Sequence, residues 1–91
     1  MIDQATVDRI LDAAQIVDVV SDFVTLRKRG VNYVGLCPFH DDRTPSFSVS
    51  PARNICKCFA CGKGGNPVHF IMEHEQITYV EALKYLAKKY G

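Results

Sequence analysis

Cys37-Pro38-Phe39-His40 and Cys58-Phe59-Ala60-Cys61-Gly62 decide how this chain is read. Each pair of soft ligands encloses two residues, and 17 residues separate the pairs. That spacing lets one tight turn present two side chains to a single ion at the zinc–sulfur bond length of about 2.3 Å. Three thiolates and an imidazole suit tetrahedral zinc, and four protein ligands leave no position open for water. The expected cofactor is therefore one structural Zn2+ held by Cys37, His40, Cys58 and Cys61. Gly62 permits a positive φ, which aims backbone N–H groups of the turn at thiolate sulfur. A redox dithiol at Cys58 and Cys61 is the competing reading, but that motif opens a helix in a βαβ unit and needs no histidine-bearing partner pair. Cys56 precedes Cys58 by two residues and does not complete a two-residue gap. It is set outside the ligand set as a strand residue on the same face, close enough to be a rescue ligand or a site of oxidation. His69 and His74 have no partner at chelating spacing and are read as solvated or core side chains.

Ninety-one residues, 47% hydrophobic and 23% charged, describe one small folded domain filling residues 1–91. No apolar run approaches the roughly 18–20 residues that cross a bilayer, so no membrane contact is expected. The acidic N-terminal Met1-Ile2-Asp3-Gln4-Ala5 lacks the basic and apolar parts of a signal peptide. The expected setting is a reducing cytoplasm, where four cysteines favour a metal over disulfides.

Around the ligand pairs the periodicity alternates between 3.6 and 2. Val7, Ile10, Leu11 and Ala14 share one helical face behind a capping Asp3. Ile16, Val19, Val20 and Phe23 repeat the spacing out of phase, which predicts a break near Ala14–Gln15 and a second short helix. Phe23-Val24-Thr25-Leu26 and residues 32–36 flank a turn at Arg29-Gly30 and read as a hairpin, while Ser46–Val49 and Asn54–Phe59 supply two further strands. Asn66-Pro67 opens a short helix, and Thr78-x-x-Glu81 is a capping box with Ile77 placed to staple onto Ala82. The fold class is α+β: a small antiparallel zinc ribbon flanked by short N-terminal and C-terminal helices. Phe39, Phe47, Phe59 and Phe70 are assigned to packing around the metal.

Charge is polarised along the chain. Residues 1–26 carry five aspartates against Arg9, whereas residues 27–63 carry seven lysines and arginines against Asp41 and Asp42. The middle is where a phosphate backbone would dock.

The run Cys37-Pro38-Phe39-His40-Asp41-Asp42-Arg43-Thr44-Pro45-Ser46-Phe47, with Cys58–Cys61 and Gly62-Lys63-Gly64-Gly65-Asn66-Pro67-Val68-His69-Phe70 after it, closely resembles the N-terminal zinc-binding domain of bacterial DnaG-type DNA primases. The resemblance covers nearly the whole chain and places the family's zinc ligands on Cys37, His40, Cys58 and Cys61. It departs from the family at Cys56, at Ala60 inside the second pair, at Val31 where a basic residue is frequent, and at Arg43 where lysine is usual. The resemblance implies binding to single-stranded template DNA and help in choosing the start site of RNA primer synthesis. Polymerisation would belong to a separate downstream domain using a divalent metal such as Mg2+. Downstream RNA polymerase and helicase-binding domains are absent from the chain, so the expected partners are that polymerase domain in cis or trans and the replicative helicase through the full-length protein. No cluster of acids suited to two-metal catalysis is present, and Asp41-Asp42 reads as a solvated turn pair. Single-strand binding needs cations for phosphates and planar groups for bases. Arg27, Lys28, Arg29, Arg43, Arg53, Lys57 and Lys63 are the phosphate candidates, Tyr33 the stacking candidate, and Asn32 the base-edge reader. The alternatives are a primase-like zinc module in another replication or mobile-element protein, and a ribbon whose basic face meets an acidic protein.

Overall fold

The computed structural model describes residues 3–39 and 43–91. His40, Asp41 and Asp42 lie outside the described residues, and so does the turn reading of the two aspartates.

Two helices open the chain, α1 (Gln4–Ala13) and α2 (Ile16–Ser21). The Asp3 carboxylate accepts the Thr6 N–H at 2.8 Å and caps α1, as the sequence predicts. Five strands follow, β1 (Arg27–Arg29), β2 (Asn32–Gly35), β3 (Phe47–Ser50), β4 (Ile55–Cys58) and β5 (Gly64–Gly65), paired antiparallel in sequence order. Two helices close the chain, α3 (Pro67–Glu75) and α4 (Tyr79–Tyr90). Asn66 caps α3 ahead of Pro67, and the Thr78–Glu81 capping box forms in both directions.

Two strand expectations change. Phe23-Val24-Thr25-Leu26 is not a strand, because the N–H groups of Phe23 and Val24 both bond the Val20 carbonyl and close the end of α2. The first strand forms four residues later, on Arg27–Arg29. The fifth strand, unforeseen, is a pair of glycines. A Cβ on Gly64 would stand 2.2 Å from the Cys56 carbonyl oxygen, so only glycine lets this backbone close on β4.

Register sorts the sheet into two faces, since directly paired residues point to the same side. Tyr33, Val49, Cys56 and Gly65 form one row, and Gly35, Phe47 and Cys58 the next. This face meets the helices. Phe47 and Phe70 are fully buried and lie 6.0 Å apart, with Phe39 edge-on to both and Phe23 against Phe70. Phe59 is the exception to the packing expectation. At 74% exposed it lies outside the core, because it follows the last residue of β4 and turns away with the loop.

The corner between α1 and α2 is fastened by residues distant in sequence. Asn54, left-handed at φ 56°, accepts the Ile16 N–H at 2.8 Å and donates to the Ala14 carbonyl at 2.9 Å. The Tyr90 hydroxyl accepts the Gln15 N–H and donates to Asp18. These bonds satisfy the polar backbone where neither helix does. Among the described residues no helix is long and apolar enough to cross a membrane.

Replacing Asn54 by Ala removes both bonds and strains a left-handed residue, and is expected to cost about 2–3 kcal/mol. Asn54→Gly, which relieves the strain alone, should cost less. Urea midpoints of the two variants against the parent chain check the order.

Candidate metal centre and sheet face

Cys58 ends β4, opposite Phe47 on β3, and Cys37 follows β2 by two residues. Cys61 is delivered by a turn in which the Gly62 N–H bonds the Cys58 carbonyl at 2.8 Å. Gly62 has φ 80°, the left-handed value the sequence reading requires of it. The turn and the sheet end bring the Cys37, Cys58 and Cys61 sulfurs within 4.8 Å of one another. Cys37 Sγ stands 3.7 Å from Cys61 Sγ. Two sulfurs bound tetrahedrally at about 2.3 Å are about 3.8 Å apart, so the Cys37–Cys61 pair already has the spacing a zinc ion requires. His40, the remaining sequence candidate, lies outside the described residues.

The backbone around the sulfurs favours thiolate. The Phe39 N–H points at Cys37 Sγ and the Cys61 N–H at Cys58 Sγ, each at 3.4 Å, and the Ser46 hydroxyl lies 3.6 Å from Cys58 Sγ. Burial works against ionising Cys58. The Cys61 N–H, the Ser46 hydroxyl and the Ala60 N–H outweigh it and lower the thiol to about 6. Cys37 is pushed up to about 12, by burial first and then by the neighbouring sulfurs, against the Phe39 N–H.

Cys56 stands apart. Its thiol faces the Gly65 carbonyl at 3.5 Å, is 2% exposed, and is pushed up to about 11 by burial. Among the described residues it belongs to no ligand cluster. Neither do His69, which is exposed, and His74, whose ring packs 4.1 Å from that of Phe23. The dithiol alternative required Cys58 at a helix start in a βαβ unit; Cys58 instead ends a strand of an antiparallel sheet.

The open face of the sheet carries part of the basic set. Arg27 and Arg29 on β1, Asn32 on β2 and Lys57 on β4 share that side by register, with Ser48 between Val34 and Lys57. This side also holds a groove, which Arg53, in the turn between β3 and β4, borders. Lys28 and Tyr33 pair with each other on the opposite side, where Tyr33 is half-buried and packs on the core. Lys63 is drawn away from the face, 3.7 Å from the Glu73 carboxylate and 5.8 Å from the centre of the Phe39 ring. Arg43 is exposed beside the residues not described. Phe59, which the sequence reading assigned to packing around the metal, instead borders the groove, with Lys57 Nζ 5.7 Å from its ring centre. Its position inside a ligand pair was no signal by itself, since Phe39 lies inside the first pair and packs on Phe47 and Phe70.

A family profile described as the CHC2 zinc finger, of the DnaG zinc-ribbon type, matches residues 2–91. The chain is 51% identical over 86 residues to a DNA primase of Listeria monocytogenes serovar 1/2a, covering 94% of this chain and 14% of that protein. It is 52% identical over 88 residues to a DNA primase of Staphylococcus aureus strain COL, covering 97% of this chain and 15% of that one. Among solved structures, the zinc-binding and RNA polymerase domains of Aquifex aeolicus primase match with a TM-score of 0.90 and 49% identity, over 94% of this chain and 21% of theirs. The chain spans only a small part of each of these relatives.

The thiol geometry predicts that Cys58→Ser loses bound zinc and Cys56→Ser retains it in stoichiometric amount, by metal analysis of the purified chains. Protons compete with zinc for the sulfurs, so apparent affinity should fall as pH falls and fall further below about 6, where Cys58 itself takes up a proton. Competition with a chromophoric chelator between pH 5 and 8 measures this.

Proposed function

Because the chain belongs to the CHC2 zinc-finger family, we propose that it is the zinc-binding, template-recognition module of a bacterial DNA primase. In this reading zinc is held by Cys37, His40, Cys58 and Cys61 and has a structural role, fixing the end of the sheet that displays the basic face. The module binds single-stranded DNA and helps to select where primer synthesis begins, in the cytoplasm at the replication fork. The whole protein is a nucleotidyltransferase. Its RNA polymerase domain, with Mg2+, performs the phosphoryl transfer, and the replicative helicase is met through domains beyond this chain. The 91 residues themselves bind and do not catalyse.

One observation carries the reading. The three-thiol cluster fixes a sheet whose open face bears Arg27, Arg29 and Lys57, none of which has a carboxylate at ion-pair distance among the described residues. Lys63 and Lys89, elsewhere, are both neutralised by acids. Cations left unpaired on one face retain their attraction for phosphates, and their contribution weakens with salt.

Titration of the zinc-loaded chain with short single-stranded and duplex DNA over a range of salt concentrations tests this. The expected result is preference for single strands, with affinity falling as salt rises and the salt slope of Lys57→Ala smaller by about 1. Zinc-loaded protein that binds neither form would overturn template binding and favour docking onto another protein domain.

A further inference from the structure

The open face contains a groove of about 310 Å3. It sits at the lower end of the volumes that accept a small planar ligand. Asn32, Ser48, Ser50, Arg53 and Lys57 supply its polar walls, and Ile55, Cys56 and Phe59 complete the lining. Phe59 is the anomaly. Lone exposed apolar side chains are ordinary, but this ring is 74% exposed at the lip of a groove whose remaining lining, Ile55 and Cys56 apart, is polar or cationic. Its backbone is not loose, since the Phe59 N–H bonds the Ser46 carbonyl at 3.0 Å and its neighbour Cys58 belongs to the thiol cluster. The backbone that carries the ring is therefore held against the end of β3.

The other walls have chemistry to spare. Among the described residues the Asn32 amide and the Ser48 hydroxyl have no side-chain hydrogen-bond partner, and Ser50 only accepts the Arg53 N–H at 3.4 Å. Lys57 and Arg53 have no carboxylate at ion-pair distance among the described residues. An exposed aromatic ring on an ordered backbone, an apolar Ile55, an amide and hydroxyls, and two cations along one groove match one ligand chemistry: a flat, polar-edged ring flanked by phosphates.

We infer that this groove receives one unstacked nucleobase of the bound single strand, with Phe59 as the stacking platform, Asn32 and Ser48 at the base edge, and Lys57 and Arg53 on the flanking phosphates. This rests on the template-binding reading and assigns its aromatic contact to Phe59. Tyr33, the stacking candidate from sequence, points to the helical side. Stacking is tolerant of base identity, whereas the amide and hydroxyls discriminate, so affinity and base preference separate onto different residues.

The test compares the zinc-loaded parent chain with Phe59→Ala, Phe59→Tyr and Phe59→Trp, with zinc content measured on each. The ligands are a short oligonucleotide and the same strand carrying single abasic sites. Phe59→Ala is expected to weaken binding roughly five- to hundred-fold with the salt slope unchanged. Phe59→Tyr should restore most of the affinity, and one abasic position should reproduce the loss in the parent while adding little to the loss in Phe59→Ala. The Phe59→Trp fluorescence, unique in a chain without tryptophan, should be quenched on binding. If Phe59→Ala loses zinc, this quenching and the abasic scan of the parent still decide the matter. Unquenched Trp fluorescence, or parent-like affinity in zinc-replete Phe59→Ala, overturns the stacking role while leaving a salt-dependent phosphate contact in place. A parent chain that binds no single strand overturns the template reading itself.

Discussion

Three sulfurs spread over 24 residues of sequence must meet within 4.8 Å, and most of the architecture follows from that requirement. Cys37 leaves β2, Cys58 ends β4 and Cys61 lies on the following turn, so the cluster ties together the same end of non-adjacent strands. None of the five strands exceeds four residues. Strands so short bury little apolar area and make few ladder bonds, and small domains of this kind take their remaining stability from a crosslink. The aromatic cluster extends the effect. Phe39 follows Cys37 by two residues and contacts Phe47 and Phe70, which carries the position of the cluster into the helical layer.

The helical part of the fold was legible because its signals are local. Asp3, Asn66 and the Thr78–Glu81 pair sit where short-range hydrogen bonds to nearby N–H groups define helix starts, and the phase slip at Ala14–Gln15 is a property of the sequence itself. The cysteine spacing was legible for a similar reason, since a two-residue bite is local geometry. What escaped depends on partners remote in the chain. Gly64-Gly65 has no strand propensity and becomes a strand only because β4 offers it an edge at a distance no side chain would permit. Phe23 and Val24 favour a strand, yet closing α2 and filling the space beside Phe70 and His74 prevails.

At the site the same division holds. Composition found the basic segment but not which cations remain available, because pairing with Glu73 or sharing a face with Tyr33 is decided by tertiary structure. An aromatic in a strand and an aromatic in a metal-binding turn look alike in a sequence. Register turns Tyr33 toward the core and the turn leaves Phe59 outside, which reverses their assigned roles. Asn54 had no visible role at all, although the bonds it makes join the β3–β4 turn to the corner of α1 and α2.

That clamp has a bearing on recognition. Arg53 at the rim of the groove is the immediate neighbour of Asn54, so the rim is moored to the helical layer on one flank as the Phe59 lip is moored to the sulfur cluster on the other. A ligand entering between them meets a backbone that is already ordered. The entropy lost on association then falls chiefly on the ligand, and the protein acts as a stiff template whose selectivity depends on shape and hydrogen-bond match more than on its own adjustment. It also connects the corner of α1 and α2, far from the groove in sequence, to the groove's rim through Asn54.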